Sequence, residues 1–65
     1  MKYNWSRRED RIRAYRIVRS FLEAICREKG FDRDELIRLG RRKFPSFKPS
    51  VIYNVVEDLE EKYVK

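Results

Sequence analysis

The chain is 65 residues long, 43% charged, and carries a formal charge of +6 with a single cysteine and no histidine. That length allows one domain, residues 1–65, with one modest core, and the lone Cys26 excludes both an intramolecular disulfide and a Cys/His zinc site. No apolar run is long enough to span a bilayer, and Met1 to Ser6 lack the charged start and hydrophobic stretch of a leader, so an intracellular protein is expected.

Ser6 and Glu9 have the spacing of a capping box and predict the start of a first helix over about residues 7–29. No Gly or Pro interrupts it before Gly30, which is expected to supply the left-handed conformation that ends a helix. Ala14, Tyr15, Ile17, Val18, Phe21, Leu22, Ala24, Ile25 and Cys26 fall on one broad face at about 100° per residue. Arg13, Arg16, Ser20, Glu23 and Arg27 are placed on the opposite, solvated side.

A second capping box, Asp32 with Glu35, has Phe31 and Leu36 at the positions of a hydrophobic staple and predicts a helix over about 33–43. Leu36, Ile37 and Leu39 form its apolar side, and Gly40, a poor helix former, predicts a close helix crossing. Pro45 ends this helix, and Pro49 fits the first turn of a third over about 49–62, capped by Lys48 or by Ser46. Val51, Ile52, Val55, Val56, Leu59 and Tyr63 repeat every three to four residues, which argues for helix over strand despite the β-branched content. The expected fold is therefore all-α, a three-helix bundle with a helix-turn-helix arrangement.

The stretch Phe31 to Lys65, FDRDELIRLGRRKFPSFKPSVIYNVVEDLEEKYVK, resembles the helix-turn-helix half of winged-helix transcriptional regulators. In that family a third helix opening Ser/Thr-Val-Tyr-Arg closes on Glu-Glu and leads through a Gly-Leu-Ile-type segment into the wing. Ser50, Val51, Ile52, Tyr53 and Asn54 match the opening, Leu59, Glu60 and Glu61 the end, and Tyr63 and Val64 the first wing strand. Asn54 replaces a commonly basic residue, no Gly precedes Tyr63, and the sequence stops where the wing begins, so a wingless or trimmed form is expected. The resemblance implies binding to double-stranded DNA.

Charge distribution bears on the partner independently. Residues 1–29 hold nine Lys/Arg against four Asp/Glu, residues 30–50 six against three, and residues 51–65 two against four. The first two thirds would attract a polyanion and the last third would repel it. Arg41, Arg42, Lys43 and Lys48 bracket the turn before the third helix, more cations than dipole compensation requires, and are read as phosphate contacts. Ser50, Tyr53 and Asn54 are the candidates for the groove, Asn being suited to a bidentate contact with adenine. Arg13 and Arg16, with Arg27 and Ser20, are read as a second phosphate-facing surface that would equally suit an acidic protein.

Phe21, Phe31 and Tyr63 are assigned to the core. Tyr3, Trp5, Phe44, Phe47 and Tyr53 exceed what so small a core holds, and some should form an exposed or partner-covered patch. Tyr3 and Trp5 either fold back, dock into another subunit or stack on bases. No histidine is present as a base, Cys26 lies on the apolar face, and no serine has an evident activating partner, so neither catalysis nor a cofactor nor a small-molecule substrate is expected. Pairing of two copies through the first helix is a further expectation. The alternative function is a protein-interaction subunit of a replication or transcription complex, using the same fold for docking.

Overall fold

The computed structural model describes residues 7–64, over which three α-helices run in the order α1 (Arg8–Lys29), α2 (Arg33–Lys43) and α3 (Pro49–Tyr63). Among the described residues no strand occurs. Tyr63, matched above to the first strand of a wing, belongs instead to the last turn of α3, and Val64 follows in a turn. The capping role of Ser6 and the alternatives for Tyr3 and Trp5 fall outside the described residues. Arg7 occupies the N-cap position of α1 and makes no side-chain capping bond.

At 1.5 Å per residue α1 is about 33 Å long, enough to run the full 32 Å length of the molecule. It buries Ala14, Val18, Leu22 and Cys26, one residue per turn, with Tyr15, Phe21 and Ile25 half-buried beside them. Ile17 and Ala24, expected in the core, are exposed, Ile17 by 39%. Two short helices cannot cover so wide an apolar face, and the outer edge of it stays in water. Gly30 ends the helix with φ +87°, its N–H donating to the Cys26 carbonyl at 2.9 Å. Its ψ of 172° is extended, so the expected left-handed cap is met in φ only.

The start of α2 is fixed locally. The Asp32 carboxylate accepts from the Glu35 amide at 3.3 Å, while the Glu35 carboxylate pairs with Arg38 at 3.3 Å. Phe31 and Leu36, the staple residues, both pack into the core. Lys48 occupies the N-cap position of α3 without a side-chain capping bond, Pro49 stands in the first turn, and α3 buries Ile52, Val55, Val56 and Leu59.

Gly40 sits where all three helices meet. A Cβ added there would lie 2.9 Å from Ile52 Cγ2 on α3 and 3.6 Å from Leu22 Cδ1 on α1, so the missing side chain is what allows α2 and α3 to cross closely. Gly40→Ala sets a helix-propensity gain of about 1 kcal/mol against an overpacking cost of about 1–3 kcal/mol. A net loss of up to about 2 kcal/mol is expected in urea denaturation, and a stabilised variant would show that Ile52 yields freely.

The turn between α2 and α3 is held by aromatic packing. Phe44 and Phe47 stack at 5.1 Å and 17°, and Phe44 meets Phe21 of α1 edge-on at 5.6 Å. Both rings are half-buried against the core, where they close the corner, and with Tyr53 they line one groove, an aromatic patch of the kind anticipated. Tyr53 does remain exposed, at 38%.

Tyr63, expected in the core, is 37% exposed and works by its hydroxyl, which donates to Glu23 at 3.0 Å. Lys62 of α3 donates to the same carboxylate, and Arg19 and Arg27 lie 3.7 and 3.9 Å from it. Glu23 is thus no solvated-face residue; its side chain retains 16% exposure. The Lys62 hydrogen bond, followed by that from Tyr63, lowers its pKa to about 2. Because the folded value lies below the ordinary 4.5, the link stabilises α1 against α3 above that pH and is lost as pH falls from 4.5 toward 2. Glu23→Gln is expected to lower the melting temperature at pH 7 and to approach the parent chain at pH 2; an equal deficit at both values would rule the ionised link out.

Candidate nucleic-acid interface

The first half of α3 projects between two grooves of similar size, about 790 and 750 Å³. One runs between α1 and α3. It is lined by Arg8, Arg11, Arg16 and Arg19 from α1 and by Lys48, Ser50 and Asn54 at the start of α3, with Ile12, Tyr15 and Val51 as its apolar part. The other runs between α2 and α3. Arg38, Arg41 and Arg42 line it opposite Tyr53, over a surface made by Phe44, Phe47 and the two prolines.

Helical phase produces this division. Ile52, Val55, Val56 and Leu59 turn inward, which leaves Ser50, Asn54, Glu57 and Glu61 along the outer ridge, spaced by three or four residues. Tyr53, one position on from buried Ile52, is carried toward α2, and Val51 toward α1. The ridge is therefore uncharged over its first turns and acidic over its last. Asp58 and Glu60 are engaged within the fold, Asp58 by the Tyr15 hydroxyl and Glu60 by Arg33 at 3.2 Å.

The cations differ in what they already hold. Arg38 pairs with Glu35, and Arg19 with Glu23 while also donating to the Tyr15 hydroxyl at 3.3 Å. Burial, then the Asp58 hydrogen bond, raises the Tyr15 pKa, which keeps that hydroxyl protonated. Among the described residues Arg8, Arg11, Arg16, Arg41 and Arg42 have no ion-pair partner.

The sequence candidates are only partly brought together. Arg41, Arg42 and Tyr53 line the α2–α3 groove, and Arg16, Lys48, Ser50 and Asn54 the α1–α3 groove. Lys43 lines neither, its ammonium lying 5.8 Å from the centre of the Phe21 ring. Arg13 lines neither because it is two positions on from Arg11, about 160° around the helix. Arg27 and Ser20, grouped with Arg13 as a phosphate surface, are also outside both grooves. Arg8, Arg11 and Arg19, outside the set read as a phosphate surface, also line the α1–α3 groove, and 8, 11, 12, 15, 16 and 19 mark one helical face, a phase signal present in the sequence.

Cys26 is 4% exposed, and burial raises its thiol pKa. Among the described residues no cluster of three or more His, Cys, Asp or Glu could hold a metal ion, and no helix is long and apolar enough to cross a membrane. Comparison of the chain with family models, curated proteins and solved structures gives no match.

Proposed function

We propose that the chain is a helix-turn-helix DNA-binding module of the kind suggested by its resemblance to winged-helix regulators. The observation that carries this reading is the corner around Gly40 and Ile52. There the exposed start of α3 carries Tyr53 into the groove lined by Arg41 and Arg42, which have no acidic partner among the described residues, and Ser50 and Asn54 into the neighbouring groove. Phosphate neutralisation by these cations supplies most of the affinity, and Asn54 and Ser50 supply what base preference there is. Glu57 and Glu61 confine the contact to the first two turns of α3, because phosphates would repel them.

Titration of a duplex at several salt concentrations tests the proposal. Binding that weakens steeply and log-linearly with salt is the expected result; absent or salt-insensitive binding would end it. A second reading, docking of an acidic protein, is favoured by one feature: Ile12, 43% exposed, and half-buried Val51 lie among the arginines of the α1–α3 groove, where phosphates need no apolar surface.

A further inference from the structure

We infer that the arginine face of α1 is a second phosphate-binding row, so that Arg8, Arg11 and Arg16 hold one DNA strand while Arg41 and Arg42 hold the other. The inference rests on the DNA reading and specifies how the duplex is held. Its basis is that the two sets lie on opposite sides of one helix: Ser50 and Asn54 share a groove with the α1 arginines, and Tyr53 shares a groove with Arg41 and Arg42.

A helix with its side chains is about 10–12 Å across, and the major groove of B-form DNA is about 12 Å wide. A helix seated there has a phosphate row along each flank, which is where this fold places unpaired guanidinium groups. The α1 row is also long enough. Arg8 and Arg16 are eight residues apart, a rise of about 12 Å, enough to reach successive phosphates along one strand.

Structural roles do not account for these three arginines. Of the other basic residues of α1, Arg19 is committed to Glu23 and Tyr15 and Arg27 to Glu23, while Arg13 and Lys29 line neither groove. Arg8, Arg11 and Arg16 are exposed and have no ion pair among the described residues. They also offset the acidic end of α3, since a duplex kept off Glu57 and Glu61 gains little from the second half of that helix. Finally, the rows are separated by the thickness of α3, so a single strand can occupy only one of them.

The test compares two triple variants of equal charge. Arg8→Ala/Arg11→Ala/Arg16→Ala removes the row; Arg13→Ala/Arg27→Ala/Lys29→Ala removes the same charge from residues that line neither groove. Losing three phosphate contacts is expected to lower the slope of log K against log salt by about 2.7, and so duplex affinity at 0.1 M salt by about 10²- to 10³-fold. The control set should leave the slope within about one contact of the parent. Circular dichroism verifies that both variants are folded.

Strand assignment is read separately, from a chain carrying photo-crosslinking side chains at positions 11 and 42. The doubly crosslinked product should contain both strands on a denaturing gel. Equal slopes for the parent and the first variant, or doubly crosslinked product containing one strand only, would overturn the inference. A parent chain that binds no duplex would instead overturn the DNA reading itself, so the two failures are told apart.

Discussion

Leu22→Ala is expected to lower the unfolding free energy by about 3–5 kcal/mol, measured by urea denaturation followed at the helical circular dichroism band. Leu22 is fully buried in the middle turns of α1, and its Cδ1 is among the atoms nearest Gly40. Truncation therefore opens a cavity where all three helices converge, and α2 cannot collapse into it without drawing Gly40 and Ile52 apart. The effect is large relative to the whole. A chain of 65 residues has an unfolding free energy of only about 3–10 kcal/mol at the usual value per residue. The variant should be partly unfolded in water, with its midpoint shifted to low urea. Leu22→Met, which nearly conserves volume, should cost less than about 1.5 kcal/mol. A loss below about 1 kcal/mol for the alanine variant would mean that the three-helix junction is not the centre of stability.

The same junction shows which parts of the fold could be read from the sequence. Helix boundaries depend on residues close in sequence: Asp32 with Glu35, Gly30 after the last turn of α1, Pro49 in the first turn of α3. The three predicted spans accordingly differ from the observed ones by a single terminal residue in α1 and in α3. Gly40 was informative because a glycine inside a helix needs a packing reason, and the contact with Ile52 supplies one.

Inter-helix register was not legible. Glu23 accepts from Tyr63, 40 positions away, and nothing local to either residue announces the pairing. It is this register that turns an apparent surface glutamate into a link and an apparent core tyrosine into its donor. Ile17 and Ala24 fit the apolar period of α1, yet how much of that face is covered depends on the bulk of α2 and α3. The site followed the same pattern. Arg41, Arg42 and Tyr53 share a groove, as a short turn between their helices allows the sequence to suggest, while Asn54 lies in the other. The α1 arginines are expected on the face opposite the apolar stripe, which favours Arg13 and Arg27, whereas the groove is lined from the flank of that stripe by Arg8 and Arg11; how far α3 reaches around α1 decides between them.

Neutralising the corner is the second change with a large expected effect. Arg41→Ala/Arg42→Ala should reduce the salt slope of duplex binding by about 1.8, two phosphate contacts at about 0.9 each. Extrapolated from 1 M salt, where the counterion contribution vanishes, that slope corresponds to an affinity loss of about 60-fold at 0.1 M. The deficit should shrink steadily as salt is raised, which separates lost phosphate contacts from lost folding. Stability itself should change little, because both arginines are exposed and neither has an ion pair among the described residues. Lys43→Ala provides the contrast. Its ammonium lies over the Phe21 ring, which packs edge-on against Phe44, so its loss should cost about 0.5–1 kcal/mol of stability with a smaller change in salt slope. If Lys43 instead produced the larger change in slope, the corner would have to present a different side to the phosphates. The proposed partition between a strand held by Arg41 and Arg42 and one held by α1 would then fail at its better-defined end.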